Sequence, residues 1–145
     1  MSKSSPQAIG RYTILDLLGQ GAMGRVYRGH DPELDRPVAV KTIRELELDE
    51  AQRDTFLKRF RNEARAAARI THPHIVGVYD VGEDPEAGPY LVFEYVDGKS
   101  LATMLREKAP LSPEETLQIA YPLADALDTA HHAEVIHRDI KPDNI

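Results

Sequence analysis

The chain has 145 residues, of which 41% are hydrophobic and 29% are charged, and its formal net charge at pH 7 is -6. This is the length of one ordinary domain, and its acidic balance argues against a nucleic-acid-binding protein, which is usually basic. Without cysteine it has no disulfides or thiolate metal sites, and without a signal-peptide-like or membrane-spanning apolar run it is expected to be cytoplasmic.

The first part of the chain predicts a sheet with one helix. Residues 1–10 are polar and are expected to form a flexible leader. Apolar residues in 11–29 alternate on either side of a glycine cluster, which predicts two antiparallel strands joined by a Gly-rich turn. The remaining strands are predicted at 38–43, 75–81 and 90–96, with a helix at 49–70 between the first two of these.

The rest of the chain predicts helices and a final loop. A short helix is expected at 100–108, and Ser112, Pro113 and Glu115 together form a helix-start signal for a second one. The second helix carries an apolar stripe that includes Leu117 and Tyr121, and we expect this stripe to be partly uncovered. Pro122 lies inside this helix, where proline normally costs about 3 kcal/mol or kinks the chain.

Residues 19–26 read G-Q-G-A-M-G-R-V and match the pattern G-x-G-x-x-G-x-V. Backbone that must approach phosphates closely cannot carry side chains, which explains why Gly19, Gly21 and Gly24 could serve a nucleotide. Glycine clusters also make plain hairpins, so the pattern alone leaves both readings open. A strand follows the glycines where a helix would be needed for a dinucleotide fold, and no Gly-Lys-Ser/Thr is present. The pattern therefore predicts a flap that lies over a nucleotide.

Two charged residues further along are candidates for holding phosphates. Strand pleating places Val38 and Val40 on one face and Ala39 with Lys41 on the other, which leaves room for a flat ring beside the lysine. Glu63 lies in the predicted helix, one turn beyond Phe60 and so near the inward stripe, and could position the Lys41 ammonium. Taken singly, a strand lysine and a helix glutamate are more often solvated surface residues.

The last nine residues, 137–145, read H-R-D-I-K-P-D-N-I and are the strongest signal in the chain. Asp139 could accept a proton from a hydroxyl, Lys141 could neutralise a migrating phosphoryl group, and Asn144 could ligate Mg²⁺. An Asx-turn with a solvated lysine would be the structural explanation for the same residues. Under that explanation, the joint spacing of these residues would be a rare coincidence. The motif therefore predicts a phosphoryl-transfer site.

In order and spacing, the glycine flap, the V-A-V-K strand, Glu63 and the final loop resemble the protein kinase family. Lys141, two residues after the base, is typical of its Ser/Thr branch, and residues 58–64 and 72–76 resemble the bacterial, eukaryotic-like members. The resemblance implies an α+β fold with a five-stranded antiparallel sheet and one helix in an N-terminal lobe, followed by a truncated helical C-terminal lobe. It places the lobe and hinge at 11–96 and the start of the second lobe at 97–145.

The resemblance also implies roles for individual residues. Lys41 would pair with Glu63, Asp139 would be the base, Lys141 would contact the γ-phosphate, and Asn144 would bind Mg²⁺. The cofactors would be ATP and Mg²⁺, and the substrates would be protein Ser or Thr hydroxyls. The glycines would cover the phosphates, and the adenine would be held by the pocket and hinge residues Leu18, Val26, Ala39, Phe93, Glu94 and Val96.

The departure from the family pattern is that no Asp-Phe-Gly segment or activation segment follows. A polypeptide of these 145 residues is therefore expected to show negligible phosphotransfer, and a catalytically inactive nucleotide-binding or interaction module is the alternative. A small-molecule phosphotransferase is a third reading, against which Lys141 and the V-A-V-K strand argue. Self-association is expected through the N-terminal lobe or the uncovered helix of the second lobe, and full-length relatives of such a chain can be membrane-tethered.

Overall fold

The computed structural model describes residues 6–21, 24–43 and 49–145 and has the expected α+β architecture. The strands are β1 (Ala8–Ile9), β2 (Tyr12–Gly21), β3 (Gly24–Asp31), β4 (Arg36–Ile43), β5 (Val78–Asp84) and β6 (Gly88–Glu94). They form an antiparallel sheet with strand order β1-β2-β3-β4-β6-β5. The two strands predicted at 75–81 and 90–96 lie at Val78–Asp84 and Gly88–Glu94, so each is offset from its predicted bounds.

The short strand β1 is a difference from the expected flexible leader over residues 1–10. Ile9 is fully buried, and the Ile14 N–H donates a hydrogen bond to the Gln7 carbonyl oxygen at 3.0 Å. The Gly10 N–H donates to the Asp84 carboxylate at 2.9 Å. Because an apolar side chain and two backbone hydrogen bonds hold this segment, the ordered sheet begins before residue 11. Residues 1–5 lie outside the described part of the chain.

The hydrophobic core lies on one face of the sheet. In β4 the even-numbered residues Val38, Val40 and Thr42 are buried, and the odd-numbered residues between them are only partly covered. This confirms the prediction that Val38 and Val40 lie on one face of the strand and Ala39 and Lys41 on the other. The buried cluster is made of Ile9, Tyr12, Ile14, Tyr27, Val38, Val40, Tyr90 and Val92.

Helix α1 spans Glu50–Ala68 and begins at a capping box in which the side chains of Asp49 and Gln52 cap each other's backbone N–H. Such reciprocal bonds satisfy two of the amide groups that a helix start leaves unpaired. The helix buries Leu57 and Ala64 and packs against β5. Two of its arginines, Arg53 and Arg61, form ion pairs with Glu83 on β5.

The chain divides into two compact units, one of Met1–Arg69 with Val76–Tyr95 and the other of Ile70–Ile75 with Val96–Ile145. The second unit holds α2 (Leu101–Glu107), α3 (Pro113–His132) and a 3-10 turn at Pro142–Asn144. Within it, His72 Nε2 lies 2.8 Å from an Asp125 carboxylate oxygen, which ties the segment 70–75 to α3. Val135 and Ile136, just before the final loop, do not form a strand.

Helix α3 has one covered side and one open side. Ala126 and Ala130 are buried, whereas Leu117 and Tyr121 expose 64% and 80% of their surface. The apolar stripe predicted for this helix is thus largely uncovered, as expected. Pro122 lies inside the helix without ending it, and its place there has no explanation in the structure. Within the described ranges, no helix combines the length and apolar character that crossing a bilayer requires.

Candidate active site

One face of the first unit's sheet is half covered and carries the predicted nucleotide-binding residues. Directly opposed residues of antiparallel strands point to the same face. Lys41 on β4 lies opposite Val26 on β3 and opposite Leu91 on β6, and Ala39 lies opposite Phe93. All five side chains are partly buried. The register therefore brings Val26, Ala39, Lys41 and Phe93 together on the face away from the hydrophobic core.

The three glycines of the flap are present for different reasons. Gly24 has φ +147°, and a Cβ built there would lie 1.8 Å from the Thr42 carbonyl oxygen, so the packing of β3 on β4 requires a glycine. At Gly19 and Gly21 an added Cβ would meet no atom within 4 Å. The fold therefore accounts for Gly24 and leaves the other two unexplained. Ala22 and Met23, at the tip of the motif, lie outside the described residues.

Cross-strand ion pairs and hydrogen bonds join the two strands of the flap. Arg25 Nε donates to Gln20 Oε1 at 3.2 Å, and the Arg28 guanidinium pairs with the Asp16 carboxylate at 2.6 Å. Leu18, predicted to cover the adenine, is 48% exposed and sits where the β2–β3 register shifts. The ladder continues to Gly21 opposite Gly24, so the flap is paired almost to its tip.

The predicted pairing of Lys41 with Glu63 is not formed. Neither side chain has an ion-pair partner among the described residues, and Glu63 is exposed. The cause lies in the orientation of α1, which turns Leu57 and Ala64 inward and is anchored to β5 through Glu83. Glu63 precedes Ala64 by one residue and is thus rotated by about 100° from the buried side. The expectation that Glu63 lies near an inward stripe is wrong for this conformation.

The final loop of the second unit brings three predicted residues together. Lys141 Nζ lies 3.1 Å from Asp139 Oδ2. The Asn144 side-chain amide donates to the Asp139 carbonyl oxygen at 2.9 Å and to Oδ2 at 3.2 Å. The Asp139 N–H in turn donates to His137 Nδ1 at 3.2 Å, so that this histidine helps to organise the loop. Asp139, Lys141 and Asn144, which we call the loop triad, thus form one exposed cluster.

The electrostatics of the triad keep Asp139 ionised. The hydrogen bond from Lys141 lowers the pKa of the Asp139 carboxyl below its ordinary value, with the Lys141 charge and the Asn144 bond acting in the same direction and slight desolvation opposing them. Arg138, between His137 and Asp139, holds a left-handed φ of +66°, which is uncommon for a residue with a side chain. An ionised, exposed carboxylate with a fixed orientation can accept a hydrogen bond from a hydroxyl.

The donors available for a metal ion are few. Among the residues that the structure describes, no three or more His, Cys, Asp or Glu side chains cluster in a way that could hold one. Asn144 uses its amide nitrogen on Asp139, so its Oδ1 oxygen is left as a potential ligand. Mg²⁺ in phosphoryl-transfer sites is typically held by one or two protein oxygens, with water and phosphate supplying the rest. The triad fits such partial coordination.

The predicted hinge residues fall on the boundary between the two units. Glu94 ends β6, where its N–H donates to the Gly77 carbonyl oxygen at 2.9 Å and its carboxylate accepts the Gly77 N–H at 3.2 Å. Val96 begins the next segment of the second unit and is 61% exposed. The flap, Lys41, Glu63 and Phe93 belong to the first unit, and the loop triad belongs to the second.

Leu91 is a site-face residue that we did not predict from the sequence. It lies opposite Lys41 and is partly buried on the same face as Phe93. The signal was available, because period-2 alternation through the predicted strand at 90–96 places residues 91 and 93 on one side. A role for Leu91 in lining the site therefore follows from the same register that places Phe93.

Comparison with known families and curated proteins gives a consistent picture. The family described as protein kinase domain matches residues 12–145. A probable serine/threonine-protein kinase of Streptomyces coelicolor is 47% identical over 139 residues, covering 94% of this chain and 20% of that protein. Serine/threonine-protein kinase PrkC of Bacillus subtilis is 43% identical over 136 residues, with the same two coverages. The chain spans about a fifth of the length of these curated relatives.

A solved structure is similar over nearly the whole chain. The kinase domain of Mycobacterium tuberculosis PknI has a TM-score of 0.81 and 34% sequence identity, covering 99% of this chain and 56% of that one. Because the match covers 99% of this chain, the likeness includes residues of both units.

Proposed function

The chain belongs to the protein kinase family, and on this premise we propose that it supplies the nucleotide-binding and catalytic-loop part of a serine/threonine protein kinase. The reaction is transfer of the γ-phosphoryl group of ATP to a Ser or Thr hydroxyl of a protein. The observation that carries the proposal is the loop triad, because Asp139, Lys141 and Asn144 adopt a mutual arrangement that phosphoryl transfer can use.

The triad suggests how its residues divide the chemistry. The ionised Asp139 carboxylate accepts a hydrogen bond from the substrate hydroxyl and receives its proton as the new oxygen–phosphorus bond forms. Lys141, 3.1 Å from this carboxylate, provides positive charge where the transferring group would lie. Asn144 orients Asp139 by donating one hydrogen bond to its carboxylate oxygen Oδ2 and one to its backbone carbonyl oxygen. The bond from phosphorus to the ADP oxygen breaks as the new one forms.

The first unit is proposed to hold the nucleotide. Ala39, Val26 and Phe93 offer a flat apolar surface for adenine, and Leu18 and the hinge residue Glu94 belong to the same unit. Lys41 supplies a cation for phosphate oxygens on the same sheet face. The open space at Gly19 and Gly21 supports close approach of phosphates to the backbone. Mg²⁺, held in part by Asn144, would neutralise phosphate charge when bound.

A thermal-shift titration with Mg·ATP tests the proposed nucleotide site. We expect ATP to raise the melting temperature of the 145-residue chain in a concentration-dependent way, since a ligand that binds only the folded state stabilises it. Lys41→Ala should remove most of this rise, and Arg106→Ala, which removes an exposed cation on α2, should leave it unchanged. No rise for the parent chain at millimolar ATP would refute nucleotide binding.

Each alternative function predicts a different experimental result. Nucleotide-dependent stabilisation without phosphotransfer by these 145 residues would favour a binding module over an active transferase. Phosphate transfer to aminoglycoside or choline-type acceptors, with none to protein, would favour the small-molecule enzyme. Self-association is proposed through the open side of α3, whose support is the exposure of Leu117 and Tyr121.

A further inference from the structure

Helix α1 and its C-cap carry a line of exposed cations along one flank of the helix. Lys58, Arg61, Arg65 and Arg69 are spaced by three, four and four residues, which places them on one side of an α-helix. We call these four residues the basic stripe. Leu57 and Ala64 mark the buried side of the helix, and Lys58 and Arg65, each one residue further on, are rotated by about 100° from it. The stripe therefore runs along an exposed flank of the helix.

The basic stripe is poorly neutralised. Arg61 has a long contact of 3.4 Å to Glu83, whose carboxylate is shared with Arg53. Within the ranges that the structure describes, Lys58, Arg65 and Arg69 form no ion pair. A surface cation usually has acidic neighbours in a chain with more acidic than basic residues, and this one carries a net charge of -6. The basic stripe is therefore a positively charged region on a chain whose net charge is negative.

Helix stability does not explain this arrangement. Arg61 with Arg65, and Arg65 with Arg69, are like charges four residues apart, a spacing that destabilises a helix. The helix dipole favours cations only in the last turn, which accounts for Arg69 and partly for Arg65 but not for Lys58 in the middle. An external anion that neutralises the stripe would remove this repulsion.

We propose that the basic stripe binds an extended acidic segment of a partner protein. Residues four apart on a helix are separated by about 6 Å along its axis. Alternate side chains of an extended chain are separated by about 6.6 Å on one side. Carboxylates at every second position of a segment of roughly five to seven residues would thus match Arg61, Arg65 and Arg69. Arginine is suited to this role because its planar fork donates two hydrogen bonds to one carboxylate.

The surroundings of the stripe favour a protein partner over a membrane. Among the described residues of α1, the large apolar side chains Phe56, Leu57 and Phe60 are buried or partly buried. A helix that lies on a bilayer needs exposed apolar side chains to insert, and α1 has none of that size. Long polyanions such as nucleic acid would meet the chain's overall negative charge. The proposal does not depend on nucleotide binding or phosphotransfer.

Fluorescence anisotropy with a labelled nine-residue peptide tests the proposal. The probe carries Glu at alternate positions, and the reference probe carries Lys at the same positions. We expect the full chain to bind the Glu peptide and not the Lys peptide, with affinity that falls as salt is added. Arg65→Gln with Arg69→Gln should weaken binding about tenfold, the combined effect of two exposed charge contacts. The melting temperature of this variant should stay close to that of the parent, because the loss of like-charge repulsion and the loss of the favourable helix-dipole interaction act in opposite directions.

The matched control is Arg59→Gln with Arg106→Gln. It removes the same number of exposed cations, one on another side of α1 and one on α2, and we expect it to bind the Glu peptide within twofold of the parent. Equal weakening in both double variants would overturn the proposal, as would no binding of the peptide at all. Stripe-dependent binding to phosphatidylserine vesicles without peptide binding would assign the stripe to a membrane instead. Stripe-dependent dimerisation in sedimentation velocity, again without peptide binding, would assign it to a second copy.

Discussion

At the scale of single residues, the glycines of the flap differ in whether the fold itself requires them. Gly24→Ala should lower the free energy of unfolding by roughly 3 kcal/mol, because its φ of +147° and the Thr42 carbonyl oxygen leave no place for a Cβ. Gly19→Ala and Gly21→Ala meet no atom within 4 Å and should change it by less than about 1 kcal/mol. Urea unfolding of the three variants measures both. A Gly21→Ala loss as large as that of Gly24→Ala would contradict the described backbone of the flap.

The two glycines without a steric role should affect nucleotide binding instead. If they are kept for phosphate approach, Gly19→Ala and Gly21→Ala should weaken ATP binding in a calorimetric titration while their unfolding curves stay close to the parent's. Unchanged affinity in both would leave their presence without a functional cause.

Asp31 is a second residue with a measurable consequence. Its side chain is 1% exposed, and although burial opposes ionisation, the N–H groups of Glu33 and Leu34 together with Arg11 hold the pKa of the carboxyl below its usual value. A carboxyl whose folded pKa is depressed stabilises the fold above its unfolded pKa of about 3.9 and loses that contribution as pH falls through the folded value. Unfolding free energy should therefore fall below about pH 4.

The test compares Asp31→Asn with Asp97→Asn across this pH range. Asp31→Asn should be less stable at neutral pH and show a shallower decline in acid, since the titrating group is gone. Asp97 is exposed and lies in the second unit, so its variant should follow the parent curve. Parallel acid slopes for Asp31→Asn and the parent would rule out this role for Asp31.

Residue patterns in the sequence were enough to predict the loop triad but not the state of Glu63. Asp139, Lys141 and Asn144 lie within six residues, so local backbone geometry alone can bring them together. Lys41 and Glu63 are 22 residues apart on different elements, and their distance depends on how α1 packs. The packing of α1 depends on Leu57, Ala64 and the ion pairs that Glu83 forms with two arginines. The sequence motifs contain no information about these contacts.

At the scale of elements, the end of α3 carries avoidable strain. Val135 N–H bonds to the Ala130 carbonyl and Glu134 N–H to the His131 carbonyl, which is the Schellman arrangement with Glu134 in its left-handed position at φ +60°. Glycine is the usual residue there because it has no Cβ. Glu134→Gly should raise the free energy of unfolding by about 0.5–1 kcal/mol, whereas Glu134→Ala should not. Equal stabilities of the two variants in chemical unfolding would contradict this helix end.

Helix starts were predictable from the sequence, and β1 was not. The capping box of Ser112 and Glu115 forms as expected, since both partners lie within one turn. Strand β1 has two residues, too few for alternation to be visible, and it is held by contacts to residues far along the chain such as Asp84. Short elements that depend on distant partners lack a local signal.

At the scale of the whole molecule, the open side of α3 predicts association. Leu117 and Tyr121 expose large apolar surfaces one turn apart, and such patches favour burial against another molecule. We expect sedimentation velocity to show concentration-dependent growth of the average mass for the 145-residue chain. Leu117→Glu with Tyr121→Glu should reduce it. A monodisperse, cooperative monomer at high concentration would contradict the expectation.

Sequence motifs predict the two units of the chain separately. The flap, Lys41 and Phe93 are placed by the register of one sheet, and the loop triad is placed by a single loop. Each half was predictable because it rests on local rules of pleating and turn geometry. Neither rule acts between the halves, so the sequence patterns predict each half by itself.

The most direct test is a crystal structure of the chain with Mg²⁺ and a non-hydrolysable ATP analogue. The proposed function predicts that the analogue's phosphates lie within hydrogen-bonding distance of Lys41 Nζ, with adenine against Ala39 and Asn144 Oδ1 beside the metal. Phosphates bound out of reach of Lys41, or a metal with no contact to the loop triad, would contradict the assignment of a single phosphoryl-transfer site.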